Sequence, residues 1–378
     1  MRKLKLTAAL LAVLLTSLIS TSCRQWGWQN SSDEATDTLP TLKADESINR
    51  ATKFYAGISK EGVSMSPADE QAWNKYSKEI KGLLDISAKT RAQCDSLVKK
   101  DFSDFRDSID LVFYPFSGAD FLYPITIFPN ADTYVLCGLE KAGSPFGANI
   151  KTDYAQYDSY RKALVSFLNR SYFITKDMKN DLDNDQLDGV CPVLTMLMAT
   201  DGYEIISIEN MKVDNNGNLV KADGNGNVMQ YKFFKQGTKH EQTLYYFSND
   251  VNNDRMDPNF RKYMLNTLPK HKVATYLKAA SYLMHMPGFT DIRDYIAKYS
   301  QYVVEDDSGV PYKYLANDFD ITLYGMYKRP LMVFTDKCIQ PDLDSIYKAT
   351  AASVKPLPFR IGYNNPSNWL CARRKKGK

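Results

Sequence analysis

The stretch LVFYPFSGADFLYP, Leu111–Pro124, decides how this chain is built. Four consecutive large apolar residues, Leu111 to Tyr114, leave no polar face, so they predict a strand covered on both sides. Pro115 closes that run. Ser117-Gly118-Ala119-Asp120 then fits the Ser-x-x-acid capping box, in which the serine satisfies early helix amides and the acid reaches back. A helix end of this kind can also hold an anion. The functional alternative places Ser117 or Asp120 at the carboxyl end of a strand, where sites collect. No Gly-x-Ser-x-Gly elbow surrounds the serine.

Working outward, Tyr134 to Leu139 is a second continuous apolar run and predicts a second buried strand. Upstream, Ser66-Pro67-Ala68-Asp69 is a helix start, with a Ser cap, Pro at the first position and an acid at the third. Apolar residues recur from Trp73 through Tyr76, Ile80 and Leu84 to Cys94, Leu97 and Val98, a long amphipathic helix ending near Lys100. Downstream, residues 154–170 and 193–199 predict helices. Ile205–Val213, Val228–Phe234 and Leu244–Phe247 alternate or are aromatic. DNNGN and DGNGN separate short strands there, as residues tolerant of positive φ do in hairpins. Residues 258–268, 271–286 and 291–299 then carry helical periodicity, and strands complete the C-terminus. This order predicts an α+β fold with a mixed or antiparallel sheet core, flanking helices and a long N-terminal amphipathic helix. A single body over 47–372 is expected, with a division into two lobes near 200–250 left open.

The N-terminus indicates export. Arg2, Lys3 and Lys5 precede a mostly apolar run from Leu6 to Ile19, too short and weakly flanked for a permanent membrane span. Ser20, Thr21 and Ser22 lead to Cys23, which resembles a bacterial lipobox and so makes Cys23 the expected site of fatty acylation. Ser20 departs from the aliphatic residue usual at that position, and ordinary signal-peptide cleavage is the alternative. The expectation is a signal peptide over 1–22, a lipid anchor and flexible tether over 23–46, and localisation in the cell envelope, with the outer membrane favoured.

The formal net charge of +4 falls to +1 without the three cations of the leader. Five basic residues lie in the last six positions, a basic tail over 373–378 that is expected to be a solvated, frayed end, so the body carries −4. No basic face for nucleic acid is present. Apart from Cys23, the cysteines are Cys94, Cys137, Cys191, Cys338 and Cys371, with no zinc or redox spacing and no readable pairing.

Other chemistry is sparse. Asp250, Asn252 and Asp254 fall at the first, third and fifth positions of a calcium loop, but Arg255 replaces the glycine and Arg261 the bidentate acid. Asp181, Asp183 and Asp185 fail in the same way. His240, His271 and His285 form no His-Glu-x-x-His pattern. His271 and His285, if on one helix, stand about 21 Å apart by the helical rise. Asp306 and Asp307 could pair for acid/base work, although Asp-Ser-Gly before Pro is turn chemistry. No phosphate loop is present, and the sequence implies no cofactor.

Several segments resemble a family of exported bacterial proteins to which no activity is assigned. They are Phe113–Gly118, Asp120–Tyr123, Gly138–Glu140, Ser281–His285, Asp306–Pro311, Leu323–Gly325 and Ile361–Tyr363. The family pattern has Pro where this chain has Ala119. The resemblance implies one integrated body and supplies no mechanism. The leading expectation is therefore an envelope lipoprotein, membrane-attached through its N-terminal lipid, whose periplasmic or surface body binds a protein, glycan or peptide. One alternative is an exported hydrolase using Ser117 and Asp120, with His285, Asp306 or Asp307 nearby. Another is a calcium-stabilised module.

Overall fold

The computed structural model describes residues 42–170, 183–184, 187–224, 226–330, 334 and 336–377. The expected signal peptide, Cys23 and the tether up to residue 41 lie outside the described residues, as do Asp181 and Asp185. The strands are β1 (Leu111–Tyr114), β2 (Thr133–Gly138), β3 (Asp183–Asn184), β4 (Leu187–Asp188), β5 (Tyr203–Val213), β6 (Leu219–Lys221), β7 (Val228–Lys235), β8 (Glu241–Ser248), β9 (Val273–Leu277), β10 (Ser300–Glu305), β11 (Phe319–Gly325) and β12 (Asn368–Arg374). The α-helices are α1 (Glu46–Tyr55), α2 (Pro67–Asp101), α3 (Leu122–Ile127), α4 (Tyr154–Arg170), α5 (Cys191–Thr200), α6 (Pro258–Thr267), α7 (Thr290–Tyr299), α8 (Tyr312–Leu315) and α9 (Pro341–Ala349).

The fold is α+β with a mixed sheet. Ten strands lie in the order β11-β12-β10-β9-β1-β2-β8-β7-β5-β6, and β3 pairs with β4. The centre is parallel: β10, β9, β1, β2 and β8 all run the same way. Antiparallel strands flank it on both sides, β7, β5 and β6 on one and β12 and β11 on the other. Residues 203–248 thus extend the same sheet. Parallel strands need cover on both faces, which explains the unbroken apolar runs. Val112, Tyr114, Tyr134, Leu136, Ala274 and Tyr276 point into one core, shared with α1 to α5. Leu111, Phe113, Val135, Cys137, Val273 and Leu277 point into the opposite core, shared with α6, α7 and α8. Each large side chain buried in this way contributes about 1.5–3 kcal/mol.

The long helix α2 starts where its cap residues place it. Ser66 accepts the Asp69 amide and Pro67 occupies the first turn. Trp73, Tyr76, Ile80, Cys94, Leu97 and Val98 form its buried stripe.

Two expectations need correction. Residues 271–286 are not a helix: β9 occupies Val273–Leu277, and a short 3-10 turn occupies Leu283–His285. A fully buried five-residue run cannot be told from a buried helix by periodicity, and Val273, Thr275 and Tyr276 favour the extended form. The C-terminus, expected to fray, is held. Arg373 and Arg374 belong to β12; Arg373 pairs with Asp104, and Arg374 donates to the carbonyls of Ser300 and Ala297. The five cysteines after Cys23 are all buried and none is in a disulfide.

Candidate functional site

From β1 the chain builds outward on one side through β2 and β8, and on the other through β9 and β10. Sheet order therefore reverses between β1 and β9. The carboxyl ends of strands at such a reversal leave a crevice that the connecting loops diverge around. A cleft of about 290 Å³ lies there, lined by residues after β1, β2, β8 and β9.

Two charged groups meet at this point. Lys278 is the residue after β9, and Asp120 lies on the loop after β1. Lys278 Nζ is 2.6 Å from Asp120 Oδ2, with side-chain exposures of only 1% and 2%. The ammonium also lies 3.7 Å from the centre of the Tyr123 ring, a cation–π position. Tyr114 OH donates to Asp120 Oδ2 at 3.2 Å. Burial pushes the Lys278 ammonium below its ordinary pKa, and the carboxylates of Asp120 and Asp306 oppose that shift.

The chain leaving Lys278 is strained. Ala279, Ser281 and Tyr282 have φ of 51°, 52° and 55°, a region that non-glycine residues seldom occupy. Such residues cost about 1–3 kcal/mol each and persist only where neighbours over-determine them. The neighbours are the turn after β10 and residues 363–368. Asp306 accepts the Ala279 amide at 3.1 Å, and Ser308 Oγ accepts the Ala280 amide at 2.8 Å. Tyr363 donates its hydroxyl to the Ala279 carbonyl, and Tyr282 OH donates to Asp307 at 2.6 Å. Asn364 and Asn368 both donate amide N–H groups to Asp307 Oδ1.

Burial and the adjacent Asp307 carboxylate raise Asp306 to about 7. Burial also raises Asp307, although the donors from Tyr282, Asn368 and Asn364 hold it down. His285 packs edge-on against the Tyr282 ring at 5.2 Å, and burial lowers it to about 4.

Asp120, Asp306, Asp307 and His285 thus all belong to one region, while Ser117 does something other than cap a helix. Its hydroxyl donates to the Cys137 carbonyl at 3.0 Å, and its amide donates to the same oxygen. Helix α3 begins at Leu122, and its cap residue Phe121 makes no side-chain cap bond. The capping-box expectation is therefore corrected: the turn is hooked onto β2, and Asp120 serves the lysine. Asp120 retains only a 3.4 Å contact from the Tyr123 amide.

The calcium candidates form turns. Asp250 accepts the Asn252 amide, and Asn252 accepts the Asp254 amide. Asp250 and Asn252 nevertheless line the cleft. Among the described residues, no group of three or more His, Cys, Asp or Glu side chains is placed to hold a metal. His271 stands apart, 3.5 Å from Asp110, and exposed His240 pairs with Asp132.

Sequence reasoning missed Lys278 because a helix was assigned across it. The available signal was a lysine ending the apolar run VATYL and preceding the small residues Ala279 and Ala280. The segments Phe113–Gly118, Asp120–Tyr123, Gly138–Glu140 and Ser281–His285 supply lining residues of this cleft, and Asp306, Ser308 and Tyr363 hold the backbone beside it. No family model, curated protein or solved structure matches the chain.

Proposed function

We propose that this chain is a cell-envelope lipoprotein, anchored through Cys23, whose body binds a small molecule in the cleft between the ends of β1 and β9. The observation that carries the binding role is the buried Lys278–Asp120 pair beside the cleft and next to a strained backbone. A buried ion pair is a poor device for stability, since apolar residues of similar volume would serve as well. Strained left-handed residues also cluster at ligand clamps. Placed together at a topological reversal, the two features suit recognition. A cleft of about 290 Å³ is at the small end of ligand sites, so a metabolite-sized ligand fits better than a folded partner.

The hydrolase alternative has less support. It needs a base for Ser117, whose hydroxyl instead donates to the Cys137 carbonyl, while His285 sits against Tyr282.

Two measurements test the reading. Ligand-observed NMR on the purified protein with mixed sets of amino acids, sugars, nucleosides and carboxylic acids should show binding that Leu139→Trp abolishes. Leu139 is half exposed at the rim, so the larger ring narrows the mouth without disturbing the core. No binding from any set, or binding indifferent to L139W, refutes the cleft as a site. Separately, a clickable fatty-acid analogue should label the protein in bacteria and fail to label Cys23→Ala; label retained in C23A refutes the anchor.

A further inference from the structure

Lys278 and Asp120 are placed as two reactants would be. Lys278 Nζ stands 2.6 Å from Asp120 Oδ2. The carboxyl carbon is one C–O bond further, so the nitrogen lies no more than about 3.8 Å from Cγ. Groups that a fold holds close to attack distance react as if at very high concentration, with effective molarities of about 10⁵–10⁸ M when well oriented.

The surroundings favour the uncharged forms that condensation needs. Both side chains are almost wholly buried. The Tyr123 ring covers the nitrogen, Tyr114 donates to the carboxylate, and buried Tyr276 packs edge-on against Tyr114. Burial disfavours an ammonium and a carboxylate alike, and it holds Lys278 below its ordinary pKa. A desolvated lysine amine is a nucleophile. A bond between the two residues also removes both charges from the interior, where an ion pair gains little over apolar side chains.

We infer that Lys278 Nζ and Asp120 Cγ become joined by an isopeptide bond once the chain has folded. A proton first passes from the ammonium to the carboxylate. The amine then attacks Cγ: the Nζ–Cγ bond forms, a Cγ–O bond breaks, and the oxygen leaves as water with a second proton from nitrogen. Three protons on nitrogen become one, both charges vanish, and no oxidant or cofactor is consumed. Tyr114 OH already contacts Oδ2, so it can hand a proton to that oxygen and recover one from the nitrogen. Both reacting residues line the cleft, which gives the water a way out. The product ties the loop after β1 to the residue after β9, across the reversal in sheet order, and so fixes one side of the cleft. It does not require the cleft to hold a ligand.

Peptide mapping of the full purified chain tests this. The protein is denatured and digested with trypsin, which does not cut after an acylated lysine. The expected product is one branched peptide joining residues 107–141 to residues 273–293, lighter than the two together by one water. Its fragment ions should place the link between Asp120 and Lys278. Asp120→Ala should restore cutting after Lys278 and release residues 273–278 and 279–293 separately. Lys278→Arg should also give no branch, because a guanidinium stays charged and does not attack. Complete release of residues 273–278 from the parent protein overturns the inference. A branch at Glu140 or another acid of the 107–141 peptide overturns it as well, as does a branched peptide that persists in D120A. The readout involves no ligand, so a missing bond leaves the cleft reading standing and a missing ligand leaves the bond standing.

Discussion

Lys278 and Asp120 come from loops 158 positions apart in sequence and meet at 2.6 Å with almost no exposure on either side chain. The Asp120 carboxylate and the Tyr123 ring face both hold the ammonium, and Tyr114 donates to the carboxylate. The pair should behave as a unit. Asp120→Ala leaves a buried cation and should destabilise the protein by about 3–5 kcal/mol, as should Lys278→Ala by leaving a buried carboxylate. Asp120→Leu combined with Lys278→Met should cost far less than the two single changes added, because no charge is then left buried. Urea denaturation of the four proteins measures the coupling; strict additivity would show that the pair is not closed in solution.

Asp306 and His285 should give opposite pH signatures in the same window. Asp306 is raised from 3.8 to about 7, so the folded state holds its proton after the unfolded state has lost it. Stability from this group is therefore present at low pH and lost as pH rises towards 7. His285 is lowered from 6.5 to about 4, so its contribution is present at neutral pH and lost as pH falls towards 4. Relative to the parent, Asp306→Asn should be more destabilised at pH of about 4.5 than at about 8, and His285→Gln should show the reverse trend. Urea midpoints at the two pH values check this; parallel profiles for all three proteins would contradict the burial of both groups.

Gly362 tests how tightly the Asp306 turn is clamped. It has φ of +67°, and a Cβ there would run into the Asp306 carboxylate. Gly362→Ala should therefore cost the left-handed penalty of about 1–2 kcal/mol plus the loss of Asp306's bonds to Ala279 and Ser308. Gly237 is the control, since it has φ of +80° and nothing within 4 Å. Gly237→Ala should cost only the backbone penalty. Equal losses at the two sites would mean that the turn yields easily and does not hold the strained loop.

What could be read in advance followed from local physics. Leu111–Tyr114 and Tyr134–Leu139 announced buried strands because an unbroken apolar run has no face for water. Ser66-Pro67 announced the start of α2 because both residues act within one turn. The cleft was half legible. Asp120, Asp306, Asp307 and His285 stood out as titratable groups among turn or aromatic residues, but nothing local joins them. Ser117 and Asp120 satisfied the spacing of a capping box, and the contacts that overrode it lie twenty or more residues away, at Cys137 and Lys278. Lys278 was hidden because Val273, Tyr276, Leu277, Ala280, Leu283 and Met284 are spaced by three and four. That spacing arises from a strand buried on both faces followed by a short turn, and it imitates one helix face.

The strained loop itself gives the last prediction. Ala279 has φ of 51° without the freedom of glycine, and its amide and carbonyl are both held, by Asp306 and Tyr363. Replacing it with glycine removes the steric cost of that conformation, about 1–2 kcal/mol. Glycine also adds entropy to the unfolded chain, worth about 0.5–1 kcal/mol in the opposite direction. The steric term is the larger, so Ala279→Gly should stabilise the fold by up to about 1 kcal/mol. Ala279→Val should be clearly destabilising, since a β-branched residue tolerates positive φ worst. Thermal unfolding of the two variants against the parent reads the difference. A279G less stable than the parent would show that the backbone between Lys278 and Tyr282 is relaxed in solution and stores no strain beside the cleft.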